Sequence, residues 1–222
     1  MSAFGNELLM FVRGAGFDWA VVIFLIGIGV RILEIVLLGR KADLAVPRAP
    51  DYRAQGYMSI LRRFLPMPGL VKQVPITVIG GYIFHVGFIL VVLFYIPHIA
   101  QIKNTLGLSW PGLPTPVMDF ISVLTIGALI ALLIDRLMSP VKRHLSGFED
   151  YLVWLLSLVP MLTGYLAYHH MVLPYSLMLA LHIASVELLL VVLPFTKLSH
   201  MFTFVFSRYY TGEYFGKRGV EA

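Results

Sequence analysis

Two histidines, His182 and His200, lie eighteen residues apart in the apolar segment LHIASVELLLVVLPFTKLSH. At about 3.6 residues per turn, this spacing of about five turns predicts two imidazoles on one face of a single helix, about 27 Å apart along its axis. That distance is close to the thickness of the hydrocarbon core of a bilayer, about 30 Å. The segment could therefore hold a ligated cofactor near each membrane surface.

A second apolar segment, PITVIGGYIFHVGFILVVLFYIPHIA, contains His85 and His98. Ionisable side chains within a membrane span are rare and usually functional, although a single one could be a hydrogen-bonded packing residue. The two segments run in opposite directions as the second and fifth spans, so His85 matches His200 in depth. His98 likewise matches His182. Since axial ligation of haem needs one ring nitrogen from each side of the porphyrin, the pattern predicts two bis-histidine b-type haems held by these two pairs.

The spacing within the second segment does not match one helical face. Thirteen residues leave His98 about 140° around an ideal helix from His85. Pro97 removes a backbone hydrogen bond directly before His98 and can kink or rewind that turn. No carboxylate–histidine cluster typical of zinc or iron sites lies beside these histidines in the sequence.

Other polar residues allow more than one interpretation. His144 lies in the basic segment VKRHLSG and is typical of a solvated loop residue. His169 and His170 end the fourth apolar segment, where they could contact lipid headgroups or take part in quinol chemistry, because imidazole titrates near neutral pH. Arg31 precedes Glu34 by three residues, so it could form an ion pair there or contact a haem propionate.

Composition indicates a membrane protein. The 222 residues are 59% hydrophobic and 13% charged, with a mean hydropathy of +0.84, whereas soluble domains average about 25% charged residues. Five apolar stretches approach or exceed the length of about 20 residues that a spanning helix needs. They cover about 19–38, 75–100, 117–135, 151–169 and 174–198. We expect an all-α bundle of five transmembrane helices forming one domain over 1–222.

The first 18 residues could form a short interfacial helix, and they lack the features of a cleaved signal peptide.

The net charge of +5 reflects topology rather than nucleic-acid binding. Lys and Arg concentrate in the connections after spans one, three and five, whereas the opposite side has only Arg13 and Lys103. The positive-inside rule then places the N-terminus outside and the C-terminus in the cytoplasm. The basic residues on the cytoplasmic side are Arg40, Lys41, Arg48, Arg53, Arg62, Arg63, Lys72, Arg136, Lys142, Arg143, Lys197, Arg208, Lys217 and Arg218.

The chain contains no cysteine. This excludes cysteine-ligated iron–sulfur clusters, covalently attached haem, disulfides and thiol catalysis within this chain. The longest connection, residues 39–74, contains YMSILRRFLP, which predicts a short amphipathic helix. Such a helix could lie on the cytoplasmic membrane surface or form the docking surface of a soluble partner.

The chain resembles the gamma subunit family of respiratory nitrate reductase, a membrane cytochrome b. The resemblance covers nearly the whole chain in length, span number and orientation. It is most specific in LHIASVELLLVVLPFTKLSH, and it extends to IFHVG around His85, FLIGIGVR ending at Arg31, and the loop at Ser139–Pro140. Two positions depart from the family pattern. Tyr95 stands where the family has its second ligand of span two, and Met118 stands where it has a lysine associated with quinol binding.

The resemblance and the topology imply a quinol-oxidising electron-transfer subunit with two haem b groups, or one if the outer haem is missing. Menaquinol or ubiquinol would bind near the outer leaflet, with Asp119, His169 or His170 as proton acceptors. Electrons would pass to a cytoplasmic iron–sulfur subunit and a catalytic subunit, since no residue of this chain is assigned to terminal catalysis. The location implied is the cytoplasmic membrane of a prokaryote.

Three alternatives remain open from sequence. The same scaffold could serve a heterodisulfide-reductase-like or sulfur-metabolism complex. It could also reduce quinone with electrons from a soluble dehydrogenase. Outside redox chemistry, the chain could be a small membrane transporter or scaffold whose histidines bind protons or a metal.

Overall fold

The computed structural model describes residues 3–39, 44–67 and 69–220 of the chain. Helix makes up 81% of the described residues, which contain no strand. Arg40 and Lys41, assigned above to the cytoplasmic side, lie outside those ranges. The α-helices of the described residues are α1 Ala3–Arg13, α2 Ala15–Leu37, α3 Tyr52–Arg62, α4 Leu70–Gln73, α5 Pro75–Phe94, α6 Ile96–Leu106, α7 Thr115–Met138, α8 Pro140–Leu145, α9 Phe148–Tyr168, α10 Tyr175–Val192 and α11 His200–Lys217.

Within the described residues, five segments are long and apolar enough to cross a membrane, which confirms the predicted all-α architecture of five spans and defines a multi-pass membrane protein. These candidate spans are Phe4–Leu37, Pro75–Phe94, Thr115–Met138, Phe148–Tyr168 and Tyr175–Phe195. Proline starts several of them, because at the first helical turn its missing N–H has no intrahelical partner to lose. Pro75 begins α5, and Pro114 and Pro174 directly precede α7 and α10.

The spans pack in a chain of neighbours rather than around one common core. Helix α5 packs on α7, α7 on α9, and α9 on α10, which also contacts α1 and α2. Small residues allow the helix axes to approach, as is usual in membrane bundles. A Cβ added at Gly87 of α5 would lie 1.9 Å from the Thr125 hydroxyl oxygen of α7. The main buried cluster, Val91, Met118 and Met161, joins α5, α7 and α9.

The first helix differs from the predicted interfacial helix of residues 1–18. Helix α1 packs lengthwise against α10, and Val12 is only 2% exposed. Gly14 interrupts the helix between α1 and α2, but the apolar segment continues across it from Phe4 to Leu37. The first candidate span therefore begins earlier than the predicted residue 19.

Helices α3 and α11 form a tightly packed antiparallel pair at the predicted cytoplasmic side. The Arg208 guanidinium donates to the Ile60 carbonyl at 3.0 Å, and Tyr57 and Tyr209 have ring centroids 4.8 Å apart. The predicted amphipathic helix in residues 39–74 is thus present as α3. Its partner α11, which follows span five, was not predicted.

Candidate functional site

The structure brings His85 of α5 next to His200, the first residue of α11, with ring centroids 6.2 Å apart. We name these residues the inner pair, following the predicted orientation. The Nδ1 of His85 lies 2.7 Å from the Gly81 carbonyl oxygen, and the Nδ1 of His200 lies 2.7 Å from that of Lys197. Because a carbonyl oxygen only accepts, Nδ1 must be the donor in both rings. Each ring then carries its lone pair on Nε2.

The outer pair consists of His98 on α6 and His182 on α10, with ring centroids 6.1 Å apart and planes inclined by 16°. His98 Nδ1 donates to the Val91 carbonyl at 2.9 Å, and His182 Nδ1 donates to the Pro160 carbonyl at 3.0 Å. The Thr163 hydroxyl also lies 3.4 Å from His182 Nδ1. The outer pair therefore has the same tautomer as the inner pair.

This arrangement is the one that metal-ligating histidines adopt. Such a histidine almost always donates its second ring N–H to a carbonyl or carboxylate, which fixes both the tautomer and the ring orientation. With metal–nitrogen bonds of about 2.0 Å, two imidazoles on opposite sides of one metal have ring centres about 6 Å apart. Both separations agree with that value. Aromatic pairs without a metal cover about 4.5–7 Å, so the shared tautomer is the more specific observation.

The two pairs bridge helices that have their main packing elsewhere. Helix α5 packs on α7, and α10 packs on α9, α1 and α2. A Cβ at Gly164 of α9 would lie 2.9 Å from His182 Cε1, so glycine leaves the space that this imidazole occupies. At Gly81, one turn before His85, an added Cβ would meet nothing within 4 Å. Open space is therefore present at the turn before His85, whereas the space at Gly164 is filled by the His182 imidazole.

The prediction that His182 and His200 share one helix is wrong. Helix α10 ends at Val192, two short 3₁₀ turns follow, and His200 starts α11. Pro194 has no N–H to donate to the Leu190 carbonyl, so the helical ladder ends here. The Thr196 hydroxyl donates to the Val192 carbonyl at 3.2 Å. The next residue, Lys197, is held by α9, since its backbone N–H donates to Glu149 at 2.6 Å. The depth match between His85 and His200 therefore arises from a turn rather than from a five-turn spacing.

Span two is also interrupted, and this resolves the mismatch of about 140° between His85 and His98. Helix α5 ends at Phe94, Tyr95 is extended (φ −79°, ψ 126°), and α6 begins at Ile96. The predicted disturbance near Pro97 is confirmed, and the break lies at Tyr95, two residues before the proline. Because His85 and His98 lie on separate helices, the direction of the His98 side chain does not follow from that of His85. The His98 ring reaches His182.

Arg31 forms the ion pair with Glu34, with Nη1 and Oε2 separated by 2.9 Å. Its Nε also donates to the Pro194 carbonyl at 2.9 Å, which ties α2 to the turn that leads to His200. The predicted contact with a haem propionate stays a prediction.

A polar and aromatic cluster lies at the predicted outer surface. His169 Nε2 and Asp119 Oδ1 are 3.2 Å apart, so two of the three quinol-site candidates meet. The ring of His169 contacts that of Tyr168 at 5.2 Å, and Tyr168 contacts Tyr95 at 5.4 Å. Tyr95 in turn contacts His98 at 5.2 Å, so a continuous series of rings joins the outer pair to the Asp119 carboxylate.

The remaining predicted residues lie apart from this cluster. His170 has φ 55° and stacks on Tyr175 at 4.6 Å, so the structure does not bring it to Asp119. His144 is exposed on the short helix α8, which agrees with its interpretation as a solvated residue. Met118 is 1% exposed in the core, so the position of the family lysine faces inward here.

Two neighbours of the outer pair were not identified from sequence as parts of a site. Trp110 donates its indole N–H to the Leu93 carbonyl at 2.7 Å, at the break before His98. Gly164 makes room for His182. The sequence did indicate that a donor was needed, because Pro97 leaves one helical carbonyl without its N–H donor. It did not indicate that Trp110 would supply it. Within the described ranges, no group of three or more His, Asp or Glu residues could hold a bare metal ion.

Comparison with known proteins adds a relative but no activity. A curated protein of Nitratidesulfovibrio vulgaris strain Hildenborough is 38% identical over 149 residues, which is 67% of this chain and 66% of the relative. The match thus spans slightly less than two thirds of that relative, whose name, "Protein", specifies no function. No protein-family model matches the chain, and no solved structure matches it.

Proposed function

We propose that this chain is the membrane cytochrome b subunit of a respiratory redox complex, similar in role to the gamma subunit of respiratory nitrate reductase. The observation that carries the proposal is the geometry of the inner and outer pairs. In both, two imidazoles from separate helices are anchored through Nδ1, keep Nε2 for another ligand, and lie about as far apart as trans ligands of one metal.

Two b-type haems fit this donor set. His85 and His200 would hold one, and His98 and His182 the other, as neutral imidazole ligands. A cysteine-free chain cannot attach haem covalently through thioethers, which favours the b type. When bound, haem supplies reversible one-electron oxidation and reduction at a fixed position. The chain's own residues fix the tautomer and orientation of each imidazole. The outer pair is partly buried, whereas His85 and His200 of the inner pair are exposed.

A quinol would bind near Asp119 and His169. Oxidation of a quinol releases two protons with its two electrons, so the site needs a proton acceptor beside the substrate hydroxyl. His169 would act as the proton acceptor, and the adjacent Asp119 carboxylate would stabilise the imidazolium that results. Menaquinol and ubiquinol present the same hydroxyl chemistry to this pair.

The partner would dock on the basic cytoplasmic face, where an iron–sulfur subunit exchanges electrons and a further subunit carries out terminal catalysis. The concentration of Lys and Arg on this side supports a negatively charged surface on the partner. We place the complex in the cytoplasmic membrane of a prokaryote. The same residues would also serve electron transfer in the reverse direction, toward quinone. They would equally serve a sulfur-metabolism complex.

The experiment is haem quantification on the purified full-length chain. We expect a b-type absorption spectrum that changes on reduction, with two haems per chain. His85→Ala or His200→Ala should remove one haem, and His98→Ala or His182→Ala the other, because a single imidazole rarely retains a bis-histidine haem. His144→Ala, an exposed histidine outside both pairs, is the matched control. A colourless wild-type protein, or variants with unchanged haem content, would contradict the proposal and leave the transporter or scaffold alternative.

A further inference from the structure

We propose that Trp110 is a positioning residue for the outer pair, because its indole N–H replaces the backbone donor that Pro97 lacks. The inference rests on the proposed function, in which His98 and His182 are haem ligands. It assigns a role to the outer loop between α6 and α7.

The first step is the hydrogen bond that proline removes. In a continuous helix, the N–H of residue 97 would donate to the carbonyl of residue 93. Proline has no N–H, so Leu93 loses its helical donor. Trp110 Nε1 donates to that carbonyl at 2.7 Å, a short and direct bond from seventeen residues away.

Neighbouring carbonyls at the end of α5 are satisfied in a related way. The backbone N–H of His98 donates to Tyr95 at 3.0 Å rather than to the Phe94 carbonyl, its partner in a continuous helix. The Leu113 N–H from the outer loop donates to Phe94 instead, also at 3.0 Å. His98 completes the set, since its own Nδ1 donates to the carbonyl of Val91. The broken helix end is therefore closed by the outer loop and by the ligand itself.

The outer loop is held close enough to act as a fixed support. A Cβ at Gly112 would lie 2.7 Å from an Ile96 side-chain carbon and 3.2 Å from the Phe94 carbonyl oxygen, so the loop backbone lies directly on the break. Leu113 packs against the buried cluster of Val91, Met118 and Met161. The loop thus couples the extended Tyr95 to α7, and Trp110 satisfies the Leu93 carbonyl that Pro97 leaves without a helical donor.

Trp110→Phe removes the N–H and retains a large aromatic ring. We expect the occupancy of the outer haem to fall at least twofold. Alternatively, the outer haem should show a shifted midpoint potential and a changed low-spin ferric electron paramagnetic resonance signal. The inner haem should stay unchanged. Trp110→His, which keeps a ring N–H donor, should restore part of the outer signal, whereas a purely packing role would give the opposite order. Trp19→Phe, at a tryptophan that is 67% exposed, is the matched control.

Pro97→Ala provides the converse test. It returns a backbone N–H that can donate to Leu93, so α5 can continue and turn His98 away from His182. We expect loss of the outer haem with the inner haem retained. If the wild type holds two haems and both Trp110→Phe and Pro97→Ala leave both signals unchanged, the role of Trp110 is wrong while the proposed function stands. A wild-type chain without haem overturns the proposed function, and the inference with it.

Discussion

Each of the four imidazoles of the inner and outer pairs is oriented by one backbone carbonyl. These carbonyls belong to Gly81, Lys197, Val91 and Pro160, and all of them accept from Nδ1. The Val91 carbonyl belongs to the last turn of α5, whose carbonyls have no helical donor beyond the break at Tyr95. The residue types and their approximate pairing were accessible from sequence. The tautomers were not, because they depend on carbonyls that become available only in the folded chain.

Gly164→Ala tests how tightly the His182 imidazole is confined. The new Cβ would lie 2.9 Å from Cε1 of a ring already held by the Pro160 carbonyl, so the ring must move. Overpacking of this kind costs about 1–3 kcal/mol, and we expect the outer haem to be weakened or lost. Haem content and thermal unfolding of the purified chain measure both effects.

The control is Gly127→Ala on α7, where an added Cβ meets nothing within 4 Å. It should leave haem content unchanged and should not lower stability, because alanine is a better helix former than glycine. Equal haem content in Gly164→Ala and Gly127→Ala would show that His182 has more room than the structure gives it.

At the level of elements, the five spans were predictable because bilayer thickness fixes their length and composition. The interruptions within them were harder to locate. Pro97 and Pro194 mark both breaks in the sequence, but proline alone does not say whether a helix bends or ends. At Lys197 the deciding contacts come from Glu149 and Asp150 on α9, forty-seven or more residues away. Such long-range contacts are invisible to helical periodicity, which is why a single helix from His182 to His200 was expected.

Gly212→Ala tests the packing of α3 on α11. The added Cβ would lie 2.5 Å from Ser59 Cβ and 2.8 Å from the Gln55 carbonyl oxygen, so the two helices must separate. Because both obstacles are close to the backbone, we expect a loss of about 1–3 kcal/mol of local packing. The segment 44–67, which contains Arg53, should then be cut faster by trypsin.

Gly29→Ala is the control for this variant, since its Cβ meets nothing within 4 Å. Helix content measured by circular dichroism should stay similar in both variants. Equal digestion rates would show that α3 is held on α11 by something other than the close approach at Gly212.

For the whole molecule, the distribution of charge connects orientation with function. Two ion pairs lie at the basic end. Lys197, in the turn after α10, pairs with Asp150 of α9 at 2.9 Å, and Lys142 of α8 pairs with Asp135 of α7. The opposite end carries Asp119 and His169 and has few basic residues. If the basic end is cytoplasmic, electrons can leave toward a soluble partner there while quinol protons are released outside. The proposed division of labour therefore depends on which end faces the cytoplasm.

The orientation can be tested without a background signal, because the chain contains no cysteine. Asn104 near the end of α6 and Gln73 at the end of α4 are both exposed, polar and at opposite ends of the bundle. In intact cells, a membrane-impermeant maleimide should label the Asn104→Cys chain. The Gln73→Cys chain should be labelled only after the membrane is opened, since the basic connection stays on the side where it was synthesised. The reverse pattern would place the histidine–carboxylate pair in the cytoplasm, so quinol protons would be released inward and the basic face would have no cytoplasmic partner.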